Sequence, residues 1–245
     1  MNMNQSSNLI PLISFPRSGN TWLRFILANL FKSNRVKKID YSNLNQIMPT
    51  ERYQIKDFDY SLKLDNAPII LKEHYNYYDL NLDFKKSIYV KRNFKDVIQS
   101  YWFFLTNKEP LLFDNFEEFI KTYWRYCGTY TQHIESLNDI KKSNKKIFVI
   151  NYEDLHSNTF FTVSSCLRYL EVDYTDEKLK HAIQKSSYDR LKQFKQNIFE
   201  KKEIENFEKI ITTHDDKHVN KSIYNRLLNY YISLRFKLRK IKNKL

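Results

Sequence analysis

Four short apolar runs stand out along the chain: "LIPLIS" at 9–14, "APIILK" at 67–72, "SIYVK" at 87–91 and "KIFVIN" at 146–151. Each is continuous rather than alternating, the pattern of a parallel strand covered on both faces. Helix-like stretches lie between and after them, at 21–31, 96–105, 115–138, 159–170 and 176–185. Strands alternating with helices predict an α/β fold, with a central parallel sheet flanked by helices in three layers. All five prolines fall at or before Pro110, which leaves the C-terminal half free to be mostly helical. Residues 32–66 and 192–220 are polar and weakly periodic and read as surface excursions or lids. Toward the end, Leu227, Tyr231, Leu234, Leu238, Ile241 and Leu245 recur at spacings of four and three, one face of a basic amphipathic helix. Its simplest use is to pack back on the body with the basic face in solvent; peripheral membrane contact is a secondary expectation. No internal repeat or Gly/Ser linker divides the chain, so 1–245 reads as a single domain, its core over 9–193 and the lid-like segment and tail helix over 194–245.

Charge narrows the partners. With 41 Lys and Arg against 28 Asp and Glu the formal net charge is +13, which favours anionic ligands of any kind. The aromatic content of 16% and hydrophobic content of 42% supply a core and rule out a disordered polyelectrolyte. Cys127 and Cys166 are the only cysteines and belong to no CxxC or Cys/His cluster, which argues against a disulfide scaffold or a zinc module. The N-terminus lacks the basic and apolar regions of a signal peptide, and no apolar run reaches the roughly 18 residues of a membrane span, so the expected compartment is the cytoplasm.

Candidate chemistry gathers at the predicted strand ends. The first run is followed by Arg17, Ser18, Gly19, Asn20, Thr21 and Trp22, and Gly19 is one of only two glycines in the chain. A Gly-containing turn that opens a helix presents unpaired N–H groups and the positive end of the helix dipole, a seat for a phosphate. The loop is not a Walker sequence: no second Gly followed by Lys and Ser or Thr is present. In "LKEHY", Lys72 and His74 lie two apart and share a side of an extended chain, an imidazole base beside a cation that can steady a leaving phosphate. In "YVKRNFKDVIQSYWFF", Arg92 closes a strand, Asp96 is placed to cap the next helix, and Ser100 lies in its first turns; Arg92 and Ser100 together suit a second phosphate. The remaining histidines, 133, 156, 181, 214 and 218, read as surface or capping residues.

Taken in order, "FPRSGNTW", the Lys-x-His, the eight positions from Arg92 to Ser100, "VINYEDL" at 149–155 and "SSYDRLKQ" at 186–193 resemble the PAPS-dependent sulfotransferase family. The resemblance spans 9 to 193 and implies a P-loop-type fold and transfer of a sulfuryl group from 3'-phosphoadenosine 5'-phosphosulfate (PAPS) to a hydroxyl or amine. It implies that Arg17 neutralises the bridging oxygen, that Ser18, Gly19, Asn20 and Thr21 bind the 5'-phosphate, and that Lys72 lies near the transferred group. His74 becomes the base, and Arg92 and Ser100 bind the 3'-phosphate. Trp22, Tyr152 and Tyr188 line the adenine site, with Ser186 or Ser187 on the base. The family's Arg-Lys-Gly and Gly-x-Trp segments have no counterpart, since no glycine follows Gly128; Lys221 in "HVNKSIYN" is the remnant that could supply the charge. No metal is expected, because Arg17 and Lys72 take the part magnesium plays in phosphoryl transfer.

Two other readings share some of these features. A kinase-like P-loop nucleotide enzyme would use the same turn, though the Walker lysine and a magnesium carboxylate are not evident. A basic RNA-binding or membrane-surface protein would use the tail and the aromatic residues, but gives no reason for His74 beside Lys72. No specific nucleic-acid partner is expected. The acceptor, whether small molecule, glycan or lipid headgroup, is left open, with its walls assigned to loops 32–66, 105–115 and 192–220.

Overall fold

The computed structural model describes residues 9–50, 58–80, 84–108, 115–123 and 127–187. Its elements run β1 (Leu9–Ser14), α1 (Asn20–Phe31), α2 (Leu44–Ile47), a 3-10 turn at Tyr60–Leu62, β2 (Ile69–Glu73), β3 (Lys86–Lys91) and α3 (Phe94–Lys108). They continue with α4 (Phe116–Thr122), α5 (Tyr130–Lys141), β4 (Lys146–Asn151), α6 (Tyr152–Ser157), α7 (Thr159–Leu170) and α8 (Asp176–Lys185). The four strands form one parallel sheet in the order β2-β1-β3-β4. After β4 every described element is a helix.

The strands are apolar throughout because both faces are covered, and the side-chain alternation decides which layer each residue meets. Ile10, Leu12, Ile88 and Val90 pack with α1, α7 and α8 through Leu23, Ile26, Leu27, Leu167 and Leu179. Ile13 and Tyr89 point the other way, to Leu137 of α5 with Tyr77 and Phe84. Phe15, just past β1, sits among Tyr101 and Trp102 of α3 and Phe119 of α4. This is the expected three-layer α/β arrangement.

Two expectations shift. The predicted helix over 115–138 is divided into α4 and α5, and Gly128 at φ 84 precedes a fresh start in which Thr129 and Gln132 form a reciprocal capping box. The helix expected to be capped by Asp96 begins at Phe94: Asn93 Oδ1 accepts from Lys95 N at 2.9 Å, and Asp96 lies in the first turn.

Order in the sheet fixes where a ligand can sit. The chain leaves β1 toward β2 on one side and returns to β3 on the other, so the tips of β1 and β3 form the crevice where an open parallel sheet binds. Register brings Ser14 beside Val90 and Lys91 beside Asn151, so the segments after β1, β3 and β4 emerge side by side.

Candidate active site at the strand tips

The turn after β1 is tight. Ser18 N donates to Phe15 O at 3.2 Å, and Arg17 holds φ 70, a left-handed conformation that costs a non-glycine residue free energy and gathers at functional sites. Gly19 follows at φ 100 as the N-cap of α1, with no side-chain cap. A Cβ there would stand 2.3 Å from Tyr152 Cδ2, so the glycine is demanded twice, by its backbone angle and by the ring that presses on the loop. Asn20, the first residue of α1, turns back and donates to Ser14 Oγ at 2.7 Å, pinning the helix start to the strand end; Thr21 Oγ1 leans on Asn20 Oδ1 at 3.4 Å.

Two guanidinium groups meet over this turn. Arg92 Nη1 donates to Arg17 O at 3.2 Å, and Arg17 Nε donates to Ser100 Oγ at 3.3 Å. Each cation lies over an aromatic face, Arg17 at 4.6 Å from Phe104 and Arg92 at 4.2 Å from Tyr152. Tyr130 of α5 steadies the Arg92 carbonyl at 2.7 Å. Ser18 Oγ and Arg92 Nε are buried with no hydrogen-bond partner.

His74, just past β2, reaches across to the end of β1, its Nδ1 2.9 Å from Ser14 O. A carbonyl only accepts, so Nδ1 carries the proton and Nε2 keeps its lone pair. Burial, then the Lys72 ammonium, hold His74 well below the usual imidazole pKa, while the Ser14 carbonyl pulls weakly the other way. The imidazole is therefore neutral at pH 7. His133 of α5, fully buried, bonds Cys127 O through Nε2 at 3.1 Å and also faces the His74 main chain; burial pulls its pKa down to about 4.

The third part of the site lies along α1. Trp22 Nε1 donates to Ser186 O at 2.9 Å, and Asn29 Nδ2 to Ser186 Oγ at 3.1 Å, so the serine that ends α8 is tied to α1 by both its carbonyl and its hydroxyl. His156 of α6 bridges Trp22 and Tyr152, at 6.2 Å from each ring. Ser187 is half-buried beside Ser186. Tyr188, Lys221, the segment 192–220 and the basic tail lie outside the described residues.

The structure thus brings Arg17, Ser18, Gly19, Asn20, Thr21, Arg92, Ser100 and Tyr152 to one locus, with His74 at its root through Ser14 and Lys72 bearing on His74 electrostatically. Trp22 and Ser186 extend it along α1. Sequence reasoning missed His133 and His156 as parts of this neighbourhood; the capping box beside His133 was the available signal. Among the described residues no cluster of three or more His, Cys, Asp or Glu could hold a metal ion, and no helix is long and apolar enough to cross a membrane.

Known proteins share the family and the fold. The sequence profile of the sulfotransferase domain matches residues 9–227. Sulfotransferase 1 family member D1 of Mus musculus is 27% identical over 195 residues, covering 75% of this chain and 66% of that protein. Sulfotransferase 1E1 of Rattus norvegicus is 26% identical over 196 residues, covering 74% and 65%. The chain therefore spans just under two thirds of the length of these curated relatives. Among solved structures, mouse sulfotransferase SULT7A1 complexed with PAP superposes with a TM-score of 0.56 at 18% identity, covering 90% of this chain and 88% of that one. Retinol dehydratase in complex with androsterone and inactive cofactor PAP gives 0.51 at 16%, covering 88% and 83%. At such identities the likeness is one of fold.

Proposed function

The chain belongs to the sulfotransferase domain family, and from that premise we propose that it transfers a sulfuryl group from PAPS to an acceptor hydroxyl or amine, with His74 as general base. The observation that carries the reading is the meeting of Arg17, Arg92 and Ser100 over a phosphate-type turn in which Ser18 Oγ and Arg92 Nε are buried without partners. A buried polar group left unpaired costs about 1–3 kcal/mol, and both of these can donate to anionic oxygens. On this reading Ser18 to Thr21 hold the 5'-phosphate, Arg92 and Ser100 the 3'-phosphate, and Trp22 and Tyr152 the base, and the family resemblance adds Ser186, Ser187 and Tyr188 at its edge and Lys221 as a further cation. The structures of SULT7A1 and retinol dehydratase, both holding PAP, support the same donor here.

The bound donor supplies an activated sulfuryl group on its 5'-phosphate. His74 Nε2, the nitrogen left basic by the Nδ1 bond to Ser14 O, takes the acceptor's proton as the new bond from acceptor oxygen to sulfur forms. As the old sulfur–oxygen bond breaks, its electron pair stays on the phosphate oxygen, where Arg17 and Lys72 offset the added charge. Positioning and electrostatics do the catalysis, and the half-buried imidazole is uncharged and ready at pH 7.

Equilibrium binding without metal tests the reading. PAP should bind more tightly than ADP, and labelled PAPS should pass its sulfuryl group to at least one member of a panel of phenols, glycans and lipid headgroups. A requirement for magnesium with ATP, and indifference to the 3'-phosphate, would move the protein to the kinase-like class.

A further inference from the structure

Arg24 lies one helical turn beyond Thr21 on α1, and the guanidinium is inside the molecule: the residue is 3% exposed. Its partners are neutral. Nη2 donates to Asn45 Oδ1 at 2.8 Å and to the Met48 carbonyl, and Nε is buried without an acceptor. Burial pulls its pKa down to about 10, which still leaves it a cation at neutral pH. Holding a charge there is costly, so its bonds must secure something.

What they secure is the run from α2 to Pro49. Asn45 sits in α2 and Met48 is the residue that closes it. The next residue, Pro49, gives its carbonyl to the Lys72 N–H at 2.9 Å. Among the described residues β2 is an edge strand, paired only with β1, and there the Pro49 carbonyl takes this outward N–H and covers the open edge. A continuous line of hydrogen bonds and chain therefore leads from the helix behind the phosphate turn, through 45–49, to Lys72, and His74 stands two residues on.

We propose that Arg24 is a positioning residue for sulfuryl transfer: it clamps residues 45–49 along the open edge of β2 and thereby sets where Lys72 and His74 meet the phosphate turn. The planar fork suits the task, because it reaches an amide oxygen and a main-chain carbonyl from one rigid group. The proposal rests on the sulfotransferase reading, and PAP binding by the parent protein is the control that keeps the two apart: its failure sinks that reading, whereas the clamp is judged on variants that still bind PAP.

Arg24→Met keeps length and bulk but removes the fork. Its kcat should fall by about tenfold to a hundredfold, as expected when reacting groups are displaced by about 1 Å, while the PAP Kd stays within about threefold of the parent. The split between kcat and PAP affinity is the readout that fold maintenance alone would not move; the pH profile separates the charge of Arg24 from its clamp. Lys72 on β2, His133 on α5 and Arg24 on α1 are the charged or titratable groups that bear on His74. Removing one cation makes the imidazolium easier to form, so the acid limb of kcat should move to higher pH in Arg24→Met and stay in place in Arg24→Lys. Arg24→Lys should regain only part of kcat, since an ammonium does not reproduce the fork. Asn45→Ala breaks one of the two bonds, keeps the cation, and should cost kcat about threefold to tenfold; it decides the matter if Arg24→Met does not fold. Unchanged kcat in folded Arg24→Met and Asn45→Ala, or losses of kcat and PAP affinity in equal measure, would overturn the clamp and leave Arg24 a purely structural residue.

Discussion

The two ends of the sheet use their cations in opposite ways. At the N-terminal end, Lys63 Nζ donates to the Leu64 carbonyl at 2.8 Å and to that of Ala67, and Lys32 Nζ donates to Val36 O at 2.5 Å. Main-chain bonds from Ser33 to Leu62 and from Leu64 to Phe31 close the same corner. The cavity of about 330 Å³ at this end is walled largely by apolar groups, Leu30, Phe31, Leu64 and Leu167 among them. At the C-terminal end, Arg17 and Arg92 lie over aromatic faces, and Ser18 Oγ and Arg92 Nε are buried with hydrogen-bonding capacity unused. Among the described residues, one end spends charge on its own backbone. The other holds donors in reserve, at a cost to stability, which is how a binding site differs from a well-made corner of a core.

By that contrast, changes at the tips should remove function while sparing the fold. The largest effect is expected from His74→Ala, which should lower kcat by about 10²–10⁴, the range for a lost general base, with PAP still bound. The same imidazole sets a pH signature. Its folded pKa lies well below 6.5 because of burial and Lys72, and the neutral form is the base, so activity should persist below pH 6.5 and fall only as pH drops through the lowered value. Steady-state rates across pH check both statements. An acid limb centred near the ordinary imidazole value would show that His74 is not the group being titrated.

Arg92→Ala ranks next. Losing charge-assisted bonds to a phosphate costs about 1.5–3 kcal/mol, so PAP affinity should weaken by about tenfold to a hundredfold. ADP, which lacks the 3'-phosphate, should bind the variant and the parent about equally. Calorimetric titration of both nucleotides gives the answer directly, and an equal loss for the two would place Arg92 at the 5' end of the site instead.

Much of this was legible before the fold. The strands at 9–14 and 146–151 match to the residue because an apolar run bounded by polar residues leaves little choice of ends. Helices 159–170 and 176–185 also match, and in the structure Thr175 caps the second. Strand order was not legible, since parallel pairing depends on how crossover helices pack rather than on any local pattern. The break between α4 and α5 could have been read from Gly128, Thr129 and Gln132, but the apolar periodicity continues across it and masks the stop. Tyr152 was expected at the tip of a strand, and β4 does lead into it, but the short helix α6 was not foreseen. Arg24 and His133 were hidden for another reason: a polar residue inside a helical pattern reads as solvent-facing, and only tertiary packing shows each to be buried and bonded to main-chain carbonyls. The convergence of Arg17 with Arg92, seventy-five positions apart, required the β1–β3 register.

The smallest expected effect on activity lies at the opposite end, and it is the control that the comparison needs. Lys63→Met keeps the aliphatic stem but leaves the Leu64 and Ala67 carbonyls without their ammonium. Bonds to a charged donor contribute about 1.5–3 kcal/mol, and for a chain of this size each kcal/mol moves Tm by about 2–4 °C. The variant should therefore melt several degrees lower, while kcat and PAP affinity, measured well below its Tm, stay at parent values. Thermal melts and rates on the same samples separate the two. A Lys63 variant that keeps its Tm but loses turnover would mean that the N-terminal end communicates with the tips, and the division of labour between the two edges would have to be abandoned.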